Sequence, residues 1–484
     1  MSRLIATGLI LVFAFTPIGP ATAAILDLSL PEMGDPADRV MTPSEEQRIG
    51  ERMMREVRRE ADLVDDPAVI AYLHDLGTRL AGYSELPANA FRFFLINNER
   101  LNAFAMPGGY IGVHSGLVLA ARSESELASV LAHEMVHVSQ RHLARRVLAA
   151  KQTSVRTVAL ILAGILLSTQ APEAGSAAAM SGMASGAQSQ LAYSRDHERE
   201  ADNLGLKLLS EAGFDPMGMP AFFTRLLEAS RYSAEPPPFL STHPLTEARI
   251  ADSRSRAETF TGSGEVFESP GFALMRARLA ALTAPTGEAA VRRLAGWIED
   301  ENAGAAARYG LAVALTRQGR LDDAREALER VRANDEARAA YYAAAAELAL
   351  AADRADQAVA TVKEGLSLFP DDYALQYRYV EALTAAGDHQ AAVHAVERAT
   401  ETHPWSAPLL HLQARTDDAA GDQAGAAIAM GRFYAARGDL RGALRQLDQV
   451  LYGAVADGYQ RSRAQALRER WRAELEAQRD AESN

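Results

Sequence analysis

The chain of 484 residues contains no cysteine. That absence excludes disulfide cross-links, a thiol nucleophile and every thiolate-based metal site, so a zinc ion has only histidine and carboxylate side chains to bind. Positive charge is short as well. Fifty Lys and Arg stand against 63 Asp and Glu, a net charge of −13, which argues against nucleic acid as a partner. Long apolar runs are missing beyond the N-terminus. The apolar stretch at 157–168, about twelve residues, is too short to span a bilayer. With the Gly/Ala/Ser/Met segment that follows to Gln190 it reads either as a buried helix and loop, or as a lid over a cleft or a segment touching membrane.

The N-terminus differs from the rest. Arg3, an apolar core at 4–15 and Ala21-Thr22-Ala23 have the form of a secretory signal peptide with its cleavage site. Residues 1–23 are therefore expected to be removed, leaving an exported chain that begins at Ala24. No cysteine follows to carry a lipid. In a Gram-negative bacterium the destination is the periplasm.

The most informative segment is His133-Glu134-Met135-Val136-His137. On an α-helix four residues turn the chain by about 400°, so His133 and His137 share a face one turn apart. Two imidazoles there can reach one zinc ion. Glu134 lies beside them, placed to take a proton from water that the ion has acidified. Ser123 to Glu126 provides N-cap chemistry, and Leu127, Val130, Leu131, Met135 and Val138 form an apolar stripe. A helix is expected over 124–146, on which His142 points away from the two histidines. Upstream, helices are expected at 43–58 and 67–82. Strands are expected at 91–97, 102–106 and 110–114, with Pro107-Gly108-Gly109 turning the chain. The small sheet these strands predict is either a plain structural hairpin or an edge that accepts an extended peptide through main-chain hydrogen bonds.

Two histidines leave a zinc site incomplete. Gln140 and Leu143 stand where a metzincin would have its glycine and third histidine. Glu198 and Asp202, four apart, share a helix face. Glu198 is the candidate third ligand, and Asp202 the acceptor for the spare N–H of a ligating histidine. Glu200 lies about 200° round from Glu198 and is expected to be solvated. Taken alone, this segment reads more readily as a charged exposed helix face.

Four ordered blocks resemble the M48 zinc metallopeptidases, the family of HtpX and the CAAX prenyl endopeptidases. They are Asn102 to Ile111, His133 to His137, Ser194-Arg-x-x-Glu198-x-Glu-Ala-Asp202, and Ser241-Thr-His243-Pro244-Leu-x-Glu-Ala-Arg249. The resemblance implies that His133, His137 and Glu198 bind Zn2+, one ion per chain, and that Glu134 is general base and then acid. It implies a supporting place for Asp202 and a positioning role for Arg249. His243 would either stabilise the oxyanion or occupy the ion's open position and keep the enzyme latent. Asn102, Ala103, Phe104, Ala105 and Met106 would align substrate. The membrane helices of some members have no counterpart here.

From about residue 270 the composition shifts to Ala, Arg, Leu, Asp and Glu. Gly319, Asp353, Gly387 and Gly421 recur at a fixed period, and Ala324, Ala358, Ala392 and Ala426 repeat it. The period, about 34 residues, resembles tetratricopeptide (TPR) repeats. Each small residue is expected to let two helices pack closely at a turn. The array is either a partner-binding surface or a buttress. Trp405, Tyr377 and Tyr379 are binding candidates or core.

The predicted fold is mainly α: a signal peptide at 1–23, an α+β metallopeptidase domain of gluzincin type at 24–265 with a small sheet beside the zinc helix, and an all-α TPR solenoid at 270–484. The order of parts resembles periplasmic proteases that police β-barrel assembly. It implies misfolded or unassembled envelope proteins as substrates and outer-membrane assembly machinery as a partner. The rival is an assembly adaptor or chaperone with minor or latent proteolysis.

Overall fold

The computed structural model describes residues 36–149, 195–232, 236–260, 266, 268–299, 304–404, 406–453 and 456–483. The expected signal peptide, the segment at 157–190 and Trp405 lie outside the described residues.

Helix α1 (Pro43–Glu60) begins at a capping box. Glu45 N donates to Thr42 Oγ1, and Thr42 N donates to Glu45 Oε2 at 2.7 Å. Helix α2 (Pro67–Ala81) is capped by Asp66, whose carboxylate accepts from the amides of Ala68 and Val69. In both helices a proline fills the first position, where its missing N–H costs nothing.

Strands β1 (Arg92–Ile96), β2 (Ala103–Met106) and β3 (Tyr110–His114) form a sheet of order β1-β3-β2, β3 parallel to β1 and antiparallel to β2. The turn between β2 and β3 depends on glycine. Gly108 and Gly109 have φ of 74° and 78°, and a Cβ on Gly109 would fall 1.8 Å from the Ala90 carbonyl oxygen. The outer edge of β1 is covered by the chain before α2, since Val64 N donates to Leu95 O and Asn97 N to Asp62 O. Among the described residues no strand covers the outer edge of β2.

A short helix α3 (Ser115–Ala120) leads to α4 (Glu124–Ser139), which carries the two histidines. Ser123 caps it as expected, its Oγ accepting from Glu126 N. The apolar stripe is an understatement, because every residue from Glu124 to His137 is buried. Such a helix lies inside a core rather than upon one. The buried acids at its start are answered by Tyr72, whose hydroxyl donates to Glu124, and by Arg225, which pairs with Glu126.

The helix does not run on to 146. It ends at Ser139, and α5 (His142–Ala149) starts in a new direction after Arg141, whose φ is 49°. Arg141 is held in this left-handed conformation by its own guanidinium, which donates to Asp38, Glu46 and the Met41 carbonyl. Next come α6 (Arg195–Glu211), α7 (Gly218–Tyr232), α8 (Pro238–Thr242) and α9 (Glu247–Phe260). Leu127, Leu131 and Met135 of α4 share one core with Leu206, Leu209, Phe222 and Leu226 of α6 and α7.

Helical hairpins follow. They are α10 (Pro270–Thr283) with α11 (Gly287–Ile298), α12 (Gly304–Arg317) with α13 (Leu321–Asn334), and α14 (Ala339–Ala351) with α15 (Ala355–Leu368). Then come α16 (Tyr373–Ala385) with α17 (His389–Thr402), α18 (Ala407–Ala419) with α19 (Gln423–Ala436), and α20 (Leu440–Tyr452) with the long α21 (Gly458–Ser483). The repeating small residues lie at the turns, but for a different reason from close packing. Gly319, Asp353, Gly387 and Gly421 all have positive φ, and a Cβ on any of these three glycines would meet nothing within 4 Å. The turn selects for the left-handed backbone of a helix C-cap. Close packing falls instead on Ala324, Ala358 and Ala392, each fully buried. Tyr377 and Tyr379 are half-buried against the repeat cores.

The two regions meet across α2. Val69, Leu73, Leu76 and Leu80 enter the peptidase core, while Ala68 and Ala71 pack against clusters built from the repeats. At its N-terminus Arg278 of α10 grips Asp66 with two 2.7 Å bonds and reaches Glu347 of α14 at 2.9 Å. Arg378 of α16 joins Glu347 at 3.2 Å.

Candidate metal centre

Four elements deliver the site. His133, Glu134 and His137 come from α4, Glu198 and Asp202 from α6, His243 from the residue after α8, and Arg249 from α9. All seven are buried. His133 Nε2 and His137 Nε2 lie 3.0 Å apart. Glu198 brings Oε2 to 3.6 Å from the first and Oε1 to 3.5 Å from the second. His243 Nδ1 is 3.1 Å from Glu198 Oε1 and 3.3 Å from His133 Nε2. One ligand atom from each of His133, His137, Glu198 and His243 falls within 4.8 Å of the other three.

The outer nitrogens fix the tautomers, assigned from the groups they face. His133 Nδ1 lies 3.0 Å from Asp202 Oδ1, so it carries the proton and Nε2 presents a lone pair inward. His137 Nδ1 lies 2.8 Å from His142 Nδ1, and His142 Nε2 lies 3.1 Å from Glu200 Oε2. A carboxylate only accepts, so His142 donates to Glu200 through Nε2. Its Nδ1 then accepts from His137, which likewise turns a lone pair inward. Two imidazole lone pairs facing each other at hydrogen-bond distance, with a carboxylate against both, repel unless a cation lies between them. The donor set of imidazole nitrogen and carboxylate oxygen suits zinc. The residues present fit such an ion.

The charges around the donors are consistent with this. Burial first, then the neighbouring His133 and His243, holds His137 well below the usual histidine range. Burial would raise Asp202, yet hydrogen bonds from Arg249 and His133 bring it to about 2. Arg249 spans both acids, with Nε at 2.6 Å and Nη2 at 2.8 Å from Asp202 and Nη1 at 2.6 Å from Glu198. Burial would lower His243, and the carboxylates of Glu198 and Glu134 overcome it and raise its pKa. Both Glu134 oxygens are buried without a hydrogen-bond partner, although His243 Nε2 stands 3.3 Å from Oε1. A buried carboxylate left unbonded is costly and calls for a function.

Every sequence-derived ligand candidate is in this cluster. The substrate-strand residues lie near α4 on β2 and just before it. Asn102, Ala103, Phe104 and Met106 are buried and Ala105 half-buried, and Asn102 Oδ1 has no partner. Two expectations are overturned. His142 points toward His137, because the helix breaks at Arg141 and the helical rotation does not carry across the break. Glu200 is half-buried and bonded to His142 and Arg145 rather than solvated. These two residues were missed as parts of the site, and no local signal in the sequence marks the break.

With that geometry in hand, similarity to known proteins is specific. Peptidase family M48 matches residues 67–257, and the tetratricopeptide repeat family matches 286–348 and 349–416. The beta-barrel assembly-enhancing protease of Escherichia coli (strain K12) is 33% identical over 473 residues, 96% of each chain. A putative beta-barrel assembly-enhancing protease of Vibrio cholerae is 45% identical over 244 residues, 50% of each chain. The mitochondrial metalloendopeptidase OMA1 of Schizosaccharomyces pombe is 31% identical over 179 residues, 37% of this chain and 50% of that protein. The chain belongs to peptidase family M48 and is a metallopeptidase whose catalytic domain is followed by TPR repeats.

Proposed function

We propose that this metallopeptidase is a zinc endopeptidase of the bacterial periplasm that hydrolyses misfolded or unassembled outer-membrane proteins. Its repeats recruit the assembly partners. The observation that carries the zinc reading is the pair of inward-facing lone pairs on His133 and His137, closed by Glu198 beside the unbonded Glu134. The names of relatives matched over most of their length support the β-barrel clients.

His133, His137 and Glu198 hold the ion. An ion held there would supply Lewis-acid chemistry, polarising a carbonyl and acidifying water. Asp202 fixes the His133 ring and His142 the His137 ring, while Arg249 clamps Asp202 and Glu198. Glu134 takes the proton from the attacking water and returns it to the leaving nitrogen. The uncovered edge of β2 aligns an extended substrate through main-chain hydrogen bonds. His243, whose Nδ1 lies within reach of the same donors, would occupy the ion's fourth position and keep the enzyme closed, and its withdrawal would admit substrate. That closure also favours a second reading, an assembly adaptor with latent proteolysis.

The test compares zinc content and cleavage of an unfolded protein in wild type, Glu134→Gln and His243→Ala. The protease reading requires zinc near one per chain in all three and cleavage lost in Glu134→Gln. Latency requires faster cleavage in His243→Ala. Zinc without cleavage in any of them, with client assembly still dependent on the protein, would favour the adaptor.

A further inference from the structure

Between α1 and the last helices of the array lies an open cleft of about 600 Å³. Its charge is out of character for a chain of net charge −13. Arg55, Arg58 and Arg59 of α1 face Arg437, Arg441 and Arg479 from the region of α19 to α21. The acid in the lining, Asp439, is already engaged, accepting from Gly442 N at the start of α20.

The arginines are unequal. Arg59 is held by Glu56 and Glu60, and Arg437 reaches Asp65 at 3.4 Å. Arg55, Arg58, Arg441 and Arg479 have no ion-pair partner among the described residues. Arg55 Nη1 is buried with no acceptor at all, its side chain packed against Gly438. Burial, with Arg437 and Arg55 nearby, lowers Arg58 to about 10, although Asp65 and Tyr110 pull the other way. Glu51 and Glu474 also lie near Arg55 but leave its Nη1 unbonded. Arg55 Nη1 is a buried donor without an acceptor, which is unfavourable, and the half-buried Arg58 and exposed Arg441 and Arg479 beside it add positive charge that no ion pair among the described residues answers, so a ligand with carboxylates is favoured there.

Shape distinguishes the ligand classes. The cleft also has apolar walls, from Phe433, Leu440 and Leu475. Its volume is that of a pocket enclosing a few residues of chain, and Arg58 is recessed within it. A flat membrane surface does not reach a recessed guanidinium, whereas a peptide inserts both carboxylate and apolar side chains. We propose that this cleft binds a short acidic peptide segment, its carboxylates on Arg58, Arg441 and Arg479 and an apolar side chain against Phe433, Leu440 and Leu475. The segment would bridge peptidase domain and repeats, on the helix whose Gly50 abuts Pro107 of the β2–β3 turn.

The test uses the full chain and a short fluorescent peptide alternating Glu and Leu, read by anisotropy, with a Gln/Leu peptide of the same length as control. The acidic peptide should bind, and added salt should weaken it. The double variant Arg441→Glu, Arg479→Glu, which changes two exposed side chains, should bind at least about tenfold more weakly with an unchanged thermal midpoint. Equal binding of the Gln/Leu peptide, or undiminished affinity in the double variant, would overturn the proposal. So would binding of phosphatidylglycerol vesicles that depends on Arg441 and Arg479 when the peptide does not bind.

Discussion

Replacing His142 by alanine tests the geometry of the metal centre without touching a donor. The ring is buried, and its Nδ1 accepts from His137 at 2.8 Å. Its removal leaves the His137 N–H in a dry interior without that acceptor, a loss of about 1–3 kcal/mol. It also frees the imidazole to rotate, so that its lone pair would no longer be held toward His133 and Glu198. Loss of a partner that orients a ligand typically costs about 10–100-fold in metal affinity, or about 1.4–2.7 kcal/mol. The two magnitudes agree, and both set the expectation for zinc affinity measured by competition with a chelator. His142→Gln, whose amide oxygen can accept from His137, should recover part of the loss. Glu200→Gln should do less harm, since an amide oxygen can still accept from His142. Thermal unfolding of the metal-free proteins separates loss of ion from loss of fold. If His142→Ala binds zinc as tightly as wild type, the tautomer chain from Glu200 to His137 is wrong.

Other consequences follow from the junction and the repeats. Arg278→Met strands Asp66 and part of the charge on Glu347 in a buried setting, and should cost about 3–5 kcal/mol in urea unfolding. Arg278 outweighs the burial of Asp66 and, with Arg378, that of Glu347, so both folded pKa values lie below the ordinary range. Their stabilisation is present above about pH 4 and is lost as pH falls through the folded values. The urea midpoint should therefore hold through neutral pH and drop on acidification below about pH 5. Asp353→Gly relieves a left-handed aspartate and should raise stability by roughly 0.5–1 kcal/mol, while Gly387→Ala should lower it by about 1–2. Thermal midpoints of the two variants should move in opposite directions.

What the sequence disclosed was what repeats or lies close together. The four-residue spacing of His133 and His137 placed both on one face. The 34-residue period located the hairpin turns, although the reason was misread: Gly387 supplies a left-handed backbone, not a place for contact. Spacing also found Glu198 and Asp202, because both sit on one uninterrupted helix. It failed at His142, where the helix is broken by an arginine in the left-handed conformation instead of by a glycine. That arginine tolerates its backbone through Asp38 and Glu46, residues about a hundred positions away. Arg278 and Asp66 are likewise invisible as a pair. Their contact depends on how the repeats dock, and no local pattern records docking.

The shared helix α2 changes what it means to divide this molecule. Cutting the chain near residue 265 looks like separating two modules, yet the cut removes the guanidinium that neutralises Asp66 and uncovers Ala68 and Ala71. The start of a helix that lines the peptidase core would then lose its link to Arg278 and carry bare apolar surface. A peptidase-only fragment is a different molecule from the same residues in the full chain. Inactivity in such a fragment would report on the state of α2, and a role for the repeats in capturing clients has to be established by substitutions within the intact protein.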